Sequence, residues 1–200
     1  MTACILLAAG NSSRMQDNMG TAPCKLLLPF NNSTLLQHAV SKLLAVPNSR
    51  LFVVTGCYHQ QITEALQQQQ LQLVFNDNWQ QGIGSSIQKG IQYIQQHFGE
   101  AENVLITVSD QPGITTTLIH NIIQLQAATH KGIVGCTYAD TTGTPVLFHK
   151  KYFTLLEQLT GHQGAKKIMQ EHGYDAASID FPEGATDIDT PEDYRKSLLK

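Results

Sequence analysis

The stretch Cys4-Ile5-Leu6-Leu7-Ala8-Ala9-Gly10-Asn11-Ser12-Ser13-Arg14-Met15 opens as an unbroken apolar run and passes into small and polar side chains that end on an arginine. Apolar side chains at every position from Cys4 to Ala8 suit a strand buried on both faces. The turn that follows is built from small residues, so its backbone N–H groups are open to an anion, and the planar guanidinium of Arg14 matches phosphate oxygens. An ordinary strand-to-helix turn with one exposed arginine would read the same way. Arginine is scarce, however, occurring only at positions 14, 50 and 195.

Outward from this stretch, apolar segments alternate with segments of helical period. Leu51 to Thr55, Leu71 to Phe75, Val104 to Ser109, Gly132 to Thr137 and Pro145 to Phe148 read as further strands. Thr34 to Val46, His59 to Gln69, Ile83 to His97, Thr115 to His130 and Tyr152 to Leu159 read as amphipathic helices, with Ile83, Ile87, Ile91 and Ile94 marking one face of the third. The alternation predicts an α/β fold, Rossmann-like and three-layered, with a mostly parallel central sheet, and directs attention to residues just after strands. No linker, charge block or long repeat divides the chain, so residues 1–200 are expected to form a single domain.

Composition narrows the function classes. A chain of 200 residues with 42% hydrophobic content can build one core without a disulfide or metal staple. A net charge of -3 offers no basic footprint for nucleic acid or an anionic membrane, so any phosphate recognition is local. Cys4, Cys24, Cys57 and Cys136 lie far apart, as reduced thiols do, and the short apolar start lacks a basic n-region; the expected compartment is the cytoplasm. No GxxxxGK[ST] occurs, and Ile87 stands where a dinucleotide fingerprint beginning at Gly82-Ile83-Gly84 needs its third glycine.

Asp110 ends the Val104 to Ser109 strand, where a carboxylate reaches a ligand crevice and suits magnesium; the competing reading is a turn before Pro112. Asp189 is either a second carboxylate of that crevice or the cap of a last helix whose first position is Pro191. In Asn76 to Gly90, the residues Ser85 and Ser86 place hydroxyls and free N–H groups at a helix N-terminus. That start is also explained by a capped helix with Trp79 packed at its beginning. Gly143 and Pro145 alone would suit a hairpin turn. His149, His162 and His172 have no partner at a telling spacing, and no role is assigned to them.

Leu7 to Met15 followed by Lys25-Leu26-Leu27 resembles the LAAGxSxRM...K signature of the MobA-like nucleotidyltransferases, in particular the molybdenum cofactor cytidylyltransferases. The likeness continues through NDNWQQGIGSSIQKG (76–90), SDQP (109–112), GTPVLF (143–148), LTGHQGA (159–165) and DIDTPED (187–193). It implies transfer of a nucleoside monophosphate from a triphosphate to a phosphate acceptor, with Mg2+ as cofactor and pyrophosphate as product. Arg14, Lys25 and Asp110 would then be catalytic, and Asp110 and Asp189 would hold the metal. Leu7, Ala8, Ala9, Gly10, Ser12, Ser13, Arg14, Lys25, Asn76, Ser85 and Ser86 would bind nucleotide, and Gln111, Pro112, Gly143 and Pro145 the acceptor. Ala9 and Gln111 point to CTP, with ATP next, and to a molybdopterin-type acceptor delivered to a molybdenum hydroxylase or its chaperone. The alternatives are a non-catalytic nucleotide- or molybdopterin-binding chaperone and a transferase acting on a sugar or polyol phosphate. The chain departs from the family pattern in four places. Lys25 follows Met15 by ten residues, a longer interval than usual, Gln16 replaces a glycine, His162 an aspartate, and Lys166 an arginine. The 16–24 loop reads as a mobile flap.

Overall fold

The computed structural model describes residues 1–15, 23–161 and 164–199. Its elements are β1 (Thr2–Ala8), β2 (Pro29–Phe30), β3 (Ser33–Thr34), α1 (Leu35–Leu44), β4 (Ser49–Thr55), α2 (His59–Leu66), β5 (Gln72–Phe75) and α3 (Ile83–His97). They continue through β6 (Asn103–Val108), α4 (Thr116–Thr129), β7 (Ile133–Tyr138), β8 (Thr141–His149), α5 (Phe153–Glu157), α6 (Lys166–Glu171), β9 (Ala176–Asp180) and α7 (Pro191–Ser197). The flap expected over residues 16–24 lies mostly outside the described residues, as do Gln16 and His162.

Among the described residues the main sheet has seven strands in the order β5-β4-β1-β6-β8-β7-β9, with β2 and β3 forming a separate small ribbon. Every pairing in the main sheet is parallel except those of β8, which runs antiparallel to both β6 and β7. Strand β1 is central because it is apolar on both faces. Cys4, Leu6 and Ala8 enter a layer with Leu36 and Leu43 of α1, Ile62 of α2 and Ile119 of α4. Ala3, Ile5 and Leu7 enter the opposite layer with Ile87, Ile91 and Ile94 of α3, Leu156 of α5 and Ile168 of α6. Each such aliphatic side chain removed from water contributes roughly 1.5–3 kcal/mol before entropy is counted. The three layers expected from the sequence are therefore present, and no helix among the described residues is long and apolar enough to cross a membrane. All four cysteines are free thiols.

Local chemistry sets the ends of the elements. Thr34 caps α1 in a reciprocal box, accepting from the Gln37 N–H at 3.2 Å while Gln37 Oε1 accepts from the Thr34 N–H at 3.2 Å. Thr115 caps α4 through the Leu118 N–H. Helix α3 lies so close to the sheet that a Cβ on Gly90 would sit 2.8 Å from Ile5 Cδ1.

The structure corrects two sequence readings here. Gly143 and Pro145 are strand residues of β8, and the β7–β8 hairpin turns at Ala139 and Asp140, both with positive φ as a two-residue turn of the primed type requires. Asp189 is not the cap of α7: Thr190 is, in a box with Asp193.

Phe52 on β4 is fully buried and packs edge-on against Phe98 at 5.0 Å and Tyr93 at 6.2 Å. Phe52→Ala is expected to cost about 3–5 kcal/mol, seen in urea unfolding as a lower midpoint at unchanged slope.

Candidate active site

A cleft of about 380 Å³ opens at the carboxyl ends of β1 and β6, bounded by the turn after β1, the start of α3, the Lys25 segment and Asp189. The turn is shaped by its own hydrogen bonds. Asn11 Oδ1 accepts from the Ser13 N–H at 3.2 Å, Ser12 adopts a φ of 53°, and the Met15 N–H reaches the Ser12 carbonyl at 2.8 Å, with Met15 buried as an anchor. Tyr58 donates its hydroxyl to the Asn11 carbonyl at 2.8 Å, and the Cys57 N–H reaches the Ala9 carbonyl. A Cβ on Gly10 would meet nothing within 4 Å, so packing does not demand a glycine there, and the bare backbone leaves room for a ligand. At Gly56 the reverse holds: a Cβ would lie 2.6 Å from both the Ala9 carbonyl oxygen and Trp79 Cβ.

Three segments remote in sequence meet at one ammonium. Buried Cys24 and Leu26 flank Lys25, and the Lys25 N–H donates to Ser12 Oγ at 3.1 Å. Lys25 Nζ donates to Asp110 Oδ2 at 2.7 Å and Asp189 Oδ1 at 2.8 Å. Arg14 Nη1 lies 2.8 Å from Asp189 Oδ2. Ser109 Oγ donates to the Leu7 carbonyl, fixing the end of β6 beside β1, and the Ile188 N–H donates to the Asp110 carbonyl, seating the Asp189 segment alongside. The Asp110 carboxylate therefore faces Lys25 although its backbone lies in the turn directly after β6, so the turn and the cleft position hold together. Burial works against the Lys25 charge, but Asp110 and Asp189 outweigh it and hold its pKa above the ordinary lysine value. The Asp187 carboxyl is pushed up, first by partial burial and then by the charge of Asp110.

Helix α3 aims its positive end at this cleft. Its N-cap is Gly82, at φ 101°, a conformation that other residues rarely adopt, and no side chain caps the helix. The Gly84 N–H is taken by the Gly161 carbonyl and the Ser85 N–H by the Gly82 carbonyl. Asn76 is buried and donates from Nδ2 to Ser85 Oγ and Ser86 Oγ, both at 3.0 Å. Ser85 Oγ in turn donates to the Gly82 and Asn78 carbonyls. Asn76 and Ser85 thus brace the helix start from beneath, while Ser86 reaches the cleft wall.

Of the residues expected to bind nucleotide or metal, the cleft brings together Leu7, Ala8, Ala9, Gly10, Ser12, Ser13, Arg14, Lys25, Ser86, Asp110 and Asp189. Gln111, Pro112, Gly143 and Pro145 lie beyond its lining. Gln111 is buried and fully engaged: Nε2 donates to the Gly184 carbonyl at 2.9 Å and to the Tyr138 hydroxyl at 3.3 Å, and Oε1 accepts from Thr144 Oγ1 at 3.1 Å. Gly143 admits the Tyr138 ring, whose hydroxyl any Cβ would strike. Asn11, Trp79, Gly82 and Ile83 also line the cleft without having been assigned to it. Trp79 and Gly82 could have been found from their place in the N-W-x-x-G segment.

Gly56→Ala is expected to spread the Ala9 turn from Trp79, lowering both the melting temperature and nucleotide affinity, as melting and binding titrations would register. A raised lysine pKa contributes stability that is complete below the ordinary value of 10.5 and is lost only as pH rises through the higher folded value. Lys25→Met is therefore expected to cost about 2 kcal/mol, with a penalty that stays flat in urea unfolding from pH ~6 to ~9, because the wild-type ammonium stays charged throughout that range.

A family model, the MobA-like NTP transferase domain, matches residues 4–177. The chain is similar to the bifunctional protein GlmU of Francisella tularensis subsp. novicida, 26% identical over 153 residues that make up 76% of this chain and 31% of that protein. The chain thus spans under a third of the length of the curated relatives it matches. Among solved structures it resembles the homologue of Mycobacterium tuberculosis rv0371c from Mycobacterium sp. strain JC1, at 27% identity and a TM-score of 0.82, covering 99% of this chain and 95% of that one. The fold alone is shared with CMP:2-keto-3-deoxy-manno-octonic acid synthetase, at 13% identity and a TM-score of 0.75, with 99% and 97% covered. With the model running from β1 to β9 and its LAAG turn, lysine and paired aspartates gathered in one cleft, the chain belongs to the MobA-like NTP transferase domain family.

Proposed function

We propose that this protein transfers a nucleoside monophosphate, CMP from CTP, to the phosphate of a molybdopterin-type acceptor and releases pyrophosphate. One observation carries the reading. Arg14, Lys25 and the start of α3 converge with Asp110 and Asp189 on the bare turn after β1, in a cleft that couples anion-binding groups to a carboxylate pair.

The chemistry follows from these groups. An acceptor phosphate oxygen attacks the α-phosphorus of CTP, the bond to the bridging oxygen breaks, and the β- and γ-phosphates depart with its electrons. Attack by one anion on another is slowed by repulsion, so fixed positive groups supply most of the catalysis. Backbone N–H groups of the turn between Ala9 and Ser12 would cradle the triphosphate, with Lys25 and Arg14 balancing the charge that develops on the departing oxygens. Asp110 and Asp189 point an oxygen each at a common cation, a donor set that fits a hard divalent ion such as Mg2+, which is commonly held by one or two carboxylates plus substrate phosphates. When bound, the ion would neutralise phosphate charge and polarise the α-phosphate. Gln111 would act by locking the ends of β6, β7 and β8 into a floor for the acceptor, with Pro112, Gly143 and Pro145 in the same surface. Ala9 and Gln111 support CTP over GTP.

The test is a melting panel with Mg2+ and each of CTP, ATP, GTP and UTP, followed by pyrophosphate release on adding molybdopterin or a sugar or polyol phosphate. CTP at 100 times its dissociation constant is expected to stabilise by about 2.7 kcal/mol, or about 5–10 °C. Asp110→Ala should abolish the magnesium-dependent shift. Arg14→Ala and Lys25→Ala should each lower turnover by about 10²–10³-fold. A shift without turnover on any acceptor would favour the chaperone, and turnover on a sugar phosphate alone would replace the acceptor.

A further inference from the structure

We infer that the Lys25 ammonium occupies the seat of the divalent cation in the free protein, so that metal enters the cleft together with the triphosphate and not ahead of it. The inference rests on the reading of Asp110 and Asp189 as metal ligands.

Asp110 and Asp189, the carboxylates that would hold the ion, each give an oxygen to Lys25 Nζ, at 2.7 and 2.8 Å. A small hard cation binds such oxygens at about 2.1 Å, so ion and ammonium would be crowded into one space as like charges. One of them must leave. In the free protein Lys25 has nowhere better to go. Its side chain is 13% exposed, its N–H is tied to Ser12 Oγ, and Cys24 and Leu26 on either side are buried, so the segment cannot withdraw and the ammonium would give up two ionic hydrogen bonds for little water.

A triphosphate changes that balance. Lys25 lines the same cleft as the turn from Leu7 to Arg14, so phosphate oxygens seated on the turn give the ammonium a new partner within its swing. Arg14, 71% exposed, can release the other oxygen of Asp189 at small cost. The carboxylates are then vacated at the moment when an ion carried by the triphosphate needs them. By linkage, each ligand strengthens the other by the same factor.

The experiment is a Mn2+ titration of the nucleotide-free protein, read by the paramagnetic resonance signal of free Mn2+, on wild type, Lys25→Met, Asp110→Asn and Lys25→Met/Asp110→Asn. Lys25→Met is expected to bind Mn2+ at least about tenfold more tightly than wild type, and the added Asp110→Asn to reverse the gain. In wild type, Lys25 is expected to resist reductive methylation equally with and without Mn2+, up to the highest concentration of the titration. This second readout decides the matter if circular dichroism shows that the variant does not fold. Equal affinity in wild type and Lys25→Met, at a site that Asp110→Asn abolishes in either background, overturns the gate and leaves the metal reading standing. Methylation of wild-type Lys25 that rises with Mn2+ does the same. No binding by any of the folded proteins overturns the gate and removes the metal from the proposed function with it.

Discussion

Carboxylates brought together where water is thin repel one another, and a positive charge between them offsets that repulsion. Asp110 and Asp189 come from a strand end and from a segment near the C-terminus, and Lys25 lies 85 and 164 positions from them. Its ammonium therefore does two jobs. It makes the charge pair tolerable, and it ties the turn after β1, the end of β6 and the chain leading into α7 to one point. The rest of the site is arranged around that point. Ser12 holds the lysine backbone, the Asp110 carbonyl accepts from Ile188, and Arg14 takes the outer oxygen of Asp189.

This arrangement also explains which residues touch the cleft and which stand behind it. Asn76 and Ser85 spend their polar atoms on one another and on nearby backbone, so the first turn of α3 is braced from within and Ser86 is held at the wall. Gln111 similarly spends its amide on Tyr138, Thr144 and Gly184 and also supports the Asp187 carboxyl. Buried and fully bonded, such groups fix the shape of a surface without forming part of it.

The inner strands were legible in the sequence because burial on both faces leaves an unmistakable apolar run, as at Cys4 to Ala8 and Val104 to Ile106. The outer parts were not. Strand β9, Ala176–Asp180, is half exposed at the sheet edge and carries only small or polar residues around Ile179, so it lacks both a run and an alternation. Helix α6 spans six residues, too few for a period to show. The first residues of β8 are Thr141, Thr142, Gly143 and Thr144, and nothing about glycine and proline in sequence distinguishes a strand that admits a tyrosine ring from a turn. At the last helix, Asp189 and Thr190 are both good caps, and the choice falls to Thr190 because Asp193 can answer it. The frame of the site was readable from the turn after β1 and the strand-end carboxylate, whereas the division between wall and scaffold depended on side-chain directions that spacing does not carry.

The order of strands has a consequence for how the chain is made. Strand β1 pairs on one side with β4, by residue 55, but on the other side with β6, whose last paired residue is Val108. Until the ribosome has delivered that residue, the most apolar strand of the protein has one open hydrogen-bonding edge, the condition under which chains pair with the wrong partner. The β7–β8 hairpin, by contrast, closes across two residues and can dock on β6 as a finished unit. The apolar edge of β1 thus stays open until β6 is made, and helix α3, whose isoleucines cover Ile5 and Leu7, is complete before that edge is sealed.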